Sequence, residues 1–95
     1  MENQDNTNKK IEVVCDQLRQ FLQEKNRRYG DSALNPVNVF SKGNARDKIL
    51  LRMDDKITRI KNSLALRKND NVDLMGYLVL LCINEGWMDF KDQID

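Results

Sequence analysis

Histidine is absent from this chain of 95 residues. That removes the commonest general base near neutral pH and the commonest zinc ligand. No Ser-His or Cys-His nucleophile can be assembled within the chain. Cysteine is scarce. Cys15 and Cys82 are the two in the sequence, and both fall in apolar-periodic stretches, so two reduced core thiols are expected rather than a disulfide framework. No apolar run follows a basic start, so no signal peptide is expected. The longest apolar stretch, Leu78 to Ile83, is far too short to span a bilayer. The expectation is a cytoplasmic protein that meets no membrane. Net charge is also nearly absent, at +1, which argues against a protein that coats long nucleic acid through bulk charge.

What is present is charge of both signs, unevenly placed. Residues 1–41 carry six basic and six acidic side chains, residues 42–68 nine basic and three acidic, and residues 69–95 one basic and six acidic. The middle segment is therefore locally cationic, and the C-terminal segment can meet it electrostatically. The length fits one domain. A core in so short a chain is thin, and a second copy would help to stabilise it.

Residues 1–7 are polar and read as a disordered tail, with a single helical domain over 8–95. Ile11, Val14, Cys15, Leu18, Phe21 and Leu22 recur at three- and four-residue steps and predict a helix from about Asn8, capped by Thr7 or Asn8, to about Arg28. Tyr29-Gly30-Asp31 is a stop signal. Residues 29–45, with Pro36, Gly30 and Gly43, read as a long loop pinned to the body by Val37, Val39 and Phe40. A loop of that length in a small domain is more often functional than idle. A second helix is predicted from about Asn44 to Arg67, with Ile49, Leu50, Met53, Ile57, Ile60 and Leu64 as its apolar stripe. Lys68-Asn69-Asp70-Asn71 reads as a polar turn, with Asp70 or Asn71 capping a third helix over about Val72 to Glu85. That helix is apolar nearly all round and must be buried on most sides, so it is expected to pack on another copy of the chain as well. Gly86 ends it, and Trp87, Met88 and Phe90 are expected to fold back as a short final turn. The fold class is all-α: a small three-helix bundle with a long loop between helices 1 and 2, expected to be oligomeric.

Three groups of residues bear on chemistry. Lys48, Arg52, Lys56 and Arg59 fall in one band beside the stripe of the second helix, where they can present several donors to a line of phosphate oxygens. Tyr29 and Phe40 offer flat faces for a base to stack on. Asp31, Asn35 and Asn38 can read base edges or ribose hydroxyls. The plainer alternative is a solvated helix face paired with acidic residues. Asp73, Gly76, Tyr77 and Asn84 share one face of the third helix, and a carboxylate there needs a partner. Arg52 or Arg59 is the expected one, either as a structural salt bridge or as a way of holding an arginine toward a ligand. Finally, Asp70 with Asp73, or Asp54 with Asp55, could supply oxygens to Mg²⁺. Helical nucleotide pyrophosphohydrolases also need a Glu-x-x-Glu pair on an earlier helix. Here Glu12 is followed at i+3 by Cys15 and Glu24 by Arg27. No cofactor is expected.

The segments Arg28-Tyr29-Gly30-Asp31-Ser32, Arg52-Met53-Asp54-Asp55-Lys56-Ile57-Thr58-Arg59-Ile60 and Asn71-Val72-Asp73-Leu74-Met75-Gly76-Tyr77 together resemble the phage and prophage family called nucleotide modification associated domain 1. The resemblance covers about residues 25–85. It implies an α-helical fold and nucleotide handling and settles no reaction. Carried over by position, it marks Tyr29, Asp31, Arg52, Lys56, Arg59, Asp73 and Tyr77 as shared polar and aromatic residues. In general design the chain is also similar to phage sponge proteins of the anti-CBASS type, small helical oligomers that soak up cyclic nucleotide signals of bacterial defence. The expectation is a nucleotide-binding, non-enzymatic protein that sequesters a cyclic dinucleotide. Its site would comprise Tyr29, Asp31, Asn35, Phe40, Arg52, Lys56, Arg59, Asp73 and Tyr77. The alternatives are a Mg²⁺-dependent nucleotide phosphohydrolase, an accessory factor in nucleotide modification, or an inhibitor acting on a host protein through an apolar surface.

Overall fold

The first element, α1, is a helix over Glu2–Tyr29, in a computed structural model that describes residues 2–40 and 42–94. Helix thus extends through the segment read as a disordered tail. No proline or glycine interrupts residues 1–29, Glu2 and Asp5 stand in the first turn where carboxylates favour the helix dipole, and Thr7 Oγ1 donates to the Asn3 carbonyl at 2.9 Å. Arg27 and Arg28 in the last turn complement the other pole. Asp16, Arg19, Glu24, Arg27 and Arg28 form ion pairs at i,i+3 and i,i+4 spacing, the steps at which helix side chains meet.

The chain divides into two compact units, Met1–Gly30 and Asp31–Asp95, where the sequence suggests one domain. The first is α1 itself. No α1 residue is buried. Cys15, expected in a core, is exposed, while Cys82 is half-buried; both are free thiols.

The second unit is a helical hairpin of α2 (Ala45–Asn62) and α3 (Lys68–Glu85), followed by a 3₁₀ turn at Lys91–Gln93. The described residues hold three α-helices and no strand, so the all-α expectation holds. Asn44 caps α2, its side chain accepting from the Asp47 amide at 2.8 Å. The helix ends five residues earlier than its apolar stripe suggests. Ser63 leaves the α region, its amide bonded to the Ile60 carbonyl and its Oγ donating to the Arg59 carbonyl at 2.6 Å. Leu64 consequently lies outside the helix and is fully exposed.

The residues read as a polar turn form the first turn of α3, and neither Asp70 nor Asn71 is its cap. Arg67 holds the cap position without a side-chain cap bond. Asp70 is buried inside that first turn; Arg67 Nε donates to its Oδ2 at 3.1 Å, and its buried Oδ1 has no hydrogen-bond partner among the described residues. The other end follows the sequence reading. Gly86 is left-handed at φ 77° and donates to the Cys82 and Ile83 carbonyls, and the Trp87 amide bonds Cys82 at 2.8 Å, the Schellman arrangement a glycine permits.

Two ion pairs fix the hairpin register. Arg46 at the start of α2 clasps Glu85 at the end of α3, with Nη2 to Oε2 at 2.7 Å, and Lys56 meets Asp73 at 3.0 Å. A step of ten residues up α2 is matched by twelve back down α3, so the helices run antiparallel. Ile49 is the buried apolar side chain of this unit. Gly76, on the same side of α3 as Asp73 and Tyr77, is buried too. The helix is covered less fully than expected: Leu78, on the opposite side, is exposed, and so is Ile83 in the last turn.

Candidate anion-binding face

Lys48, Arg52, Lys56 and Arg59, four of the cations of α2, occupy about 80° of arc at about 100° per residue. Lys56 lies at the edge nearest the buried Ile49 side of the helix, and Arg52, Arg59 and Lys48 lie progressively farther from it. That geometry sorts them. Lys56 Nζ pairs with Asp73 Oδ2 at 3.0 Å, with the two side chains only 14% and 22% exposed. The partner the hairpin brings to Asp73 is thus this lysine, where an arginine was expected, because the register sets Asp73 opposite the inner edge of the band. Lys48 bonds the Asn38 side-chain oxygen. Arg52 and Arg59, one heptad step apart, are exposed, and among the described residues neither forms a salt bridge of 4.0 Å or less.

The loop before α2 is organised by its own polar groups. Asp31 and Asn38 both have positive φ, 61° and 57°, which aspartate and asparagine tolerate better than most residues. Asn35 Nδ2 donates to Asp31 Oδ2 at 2.5 Å, and the Asn35 amide to the Asp31 carbonyl at 3.1 Å. Two of the three residues proposed as base readers therefore bond to one another. Asn38 also donates to the Gly43 carbonyl at 3.2 Å, so the Asn38–Lys48 bond ties the loop to the first turn of α2. The apolar side chains expected to pin the loop do not do so: Val37 and Val39 are exposed, and Phe40 is 101% exposed. Phe40 is free to stack, with no packing to hold its ring.

Tyr77 lies one turn after Asp73 on α3 and is half-buried. Tyr29 is the last residue of α1, in the other unit, and is exposed. The structure thus brings Lys56 and Asp73 together, keeps Arg52 and Arg59 on the same helix face, and pairs Asp31 with Asn35. Sequence reasoning did not single out Arg46 and Glu85. The Arg46 guanidinium holds the Glu85 carboxyl below the usual range, and Glu85 in turn raises the arginine. The signal was an arginine in the first turn of one helix and a glutamate in the last turn of the next, joined by a short connection.

Among the described residues there is no group of three or more His, Cys, Asp or Glu placed to hold a metal ion. Asp73 is engaged by Lys56 and Asp70 is buried, so as folded this pair does not form an open acidic site. No helix among the described residues is long and apolar enough to cross a membrane. No family model matches the chain, and no curated protein or solved structure matches it.

Proposed function

We propose that this chain is a phage nucleotide-binding protein that holds its ligand without transforming it, sequestering a cyclic dinucleotide signal of bacterial anti-phage defence in the host cytoplasm. The observation that carries the reading is the exposed pair Arg52 and Arg59, aligned on one helix face while the lysine between them is neutralised by Asp73. Two guanidiniums about 10 Å apart along a helix suit an anion with two phosphate groups, and each charge-assisted contact is worth roughly 1.5–3 kcal/mol where it is partly desolvated. Lys56 and Asp73 would act as the rigid floor between them. Phe40 and Tyr77 would supply ring faces, and Asp31 with Asn35 a preformed polar turn for base edges. The segment resemblance set out above supports the same ligand class. A homo-oligomer would double the set of arginines. The rival reading, a Mg²⁺-dependent phosphohydrolase, would need Asp73 to leave Lys56.

Calorimetric titration against cyclic and linear nucleotides tests the proposal, with the ligand recovered after denaturation in the presence of Mg²⁺. Intact ligand, and binding weakened at least about tenfold by Arg52→Ala with Arg59→Ala, is the expected result. Hydrolysed ligand would point to the enzyme, and silence across the panel would remove the reading.

A further inference from the structure

We infer that α1 is a self-association helix that pairs antiparallel with α1 of a second copy. The inference stands apart from the nucleotide reading, since it uses neither α2 nor any site residue of the hairpin. Its apolar stripe fits a heptad pattern, with Ile11 and Leu18 at a, Val14 and Phe21 at d, and Cys15 and Leu22 widening the seam on one side. Ile11 and Val14 are each 54% exposed and Phe21 is 40% exposed. A helix with an apolar side of that width is stable in water only against another apolar surface.

Charge selects both the partner and the direction. Glu2 and Asp5 occupy the first turn and Arg27 and Arg28 the last. Parallel pairing of two copies would set acid beside acid and arginine beside arginine. Antiparallel pairing sets the acids of one copy beside the arginines of the other and opposes the two helix dipoles. The stripe then centres on residue 16, with Ile11 opposite Phe21 and Val14 opposite Leu18 of the second copy. In that register Lys10 and Glu24, at flanking g positions, face one another across the seam, adding a third donor to a carboxylate already held by Arg27 and Arg28. A parallel pair would instead set Lys10 against Cys15 and Glu24 against Tyr29, with no complementary charge.

Cross-linking of the full chain tests both partner and direction. In a background of Cys15→Ala and Cys82→Ala, chains bearing Lys10→Cys are mixed with chains bearing Glu24→Cys and treated with a short bis-maleimide. The expected product is the 10–24 covalent heterodimer. Little 10–10 product is expected, because those positions lie about 18 Å apart along an antiparallel pair. Sedimentation of the unmodified protein should show a dimer, weakened at least about tenfold by Leu18→Asp. A monomer at all concentrations, 10–10 and 24–24 products in place of 10–24, or a dimer that withstands Leu18→Asp would each overturn the inference. If Leu18→Asp also loses α1 helicity by circular dichroism, the cross-link pattern alone decides.

Discussion

The ion pairs of α1 and those of the hairpin are made of the same residue types and do different work. Among the described residues, the α1 pairs Asp16–Arg19, Glu24–Arg27 and Glu24–Arg28 join residues three or four apart, so each of these stabilises a turn of helix and specifies nothing about tertiary structure. In the hairpin, Arg46–Glu85 and Lys56–Asp73 join residues 39 and 17 positions apart, and together they fix which turn of α2 lies against which turn of α3. Charge in the first unit is a matter of composition, and in the second it is a matter of address. The contrast also explains why the hairpin consumes Lys56 from the cationic band of α2 and leaves Arg52 and Arg59 exposed.

The largest expected effect separates the units by packing. Ile49→Ala empties the one buried apolar position described in the hairpin and should cost about 2–5 kcal/mol in urea unfolding. Val13→Ala, on the exposed side of α1 away from the stripe, should stay within about 0.5 kcal/mol. Equal losses would mean that the hairpin is not organised around Ile49. Next in size is Asp73→Ala. It leaves the Lys56 ammonium mostly covered and unpaired by that carboxylate, for a loss of about 1.5–3 kcal/mol, and Asp73→Ala with Lys56→Met should recover much of it. A double variant as unstable as the single would show that the pair is not the source of the cost.

The pH dependence of the hairpin should follow Glu85. Its folded carboxyl is held low, first by the hydrogen bond from Arg46. Its contribution is therefore complete above the ordinary glutamate value and declines as pH falls through the folded one. Thermal melts between neutral pH and the acid range should show the hairpin weakening below about pH 4.5, and Glu85→Gln should flatten that part of the profile. An unchanged profile in Glu85→Gln would assign the acid sensitivity to other carboxylates.

The elements themselves were legible because their signals are local. The apolar step of three and four residues, the Tyr29-Gly30-Asp31 stop, Asn44 before α2 and Gly86 after α3 all act within one turn. The end of α2 was not legible, because Leu64 prolongs the apolar period while the turn is made by Ser63 bonding back to Arg59 and Ile60. Asp70 resembles a cap in sequence, yet it sits inside the first turn, where burial and Arg67 decide its role. The cationic band could be computed from helical spacing alone. Which of its members is neutralised could not, because that depends on the register between two helices, and register is carried by residues seventeen or more positions apart.

The smallest expected effect is the sharpest check on the opening contrast. Asp16 is fully typical of α1: exposed, bonded by Arg19 Nη2 at 2.6 Å and Nε at 3.1 Å, and touched by Gln20 at 3.2 Å. The hydrogen bond and charge of Arg19 hold its carboxyl low, so the pair persists into mildly acidic solution. Solvent screens such a pair, and holding two long side chains in one geometry costs entropy. Asp16→Asn should therefore produce no resolvable change in the thermal midpoint in moderate salt, and the same substitution at Asp73 should produce a clear one. If Asp16→Asn moved the midpoint as far as Asp73→Asn, the pairs of α1 would have to be more than local, and the division between composition and address would fail.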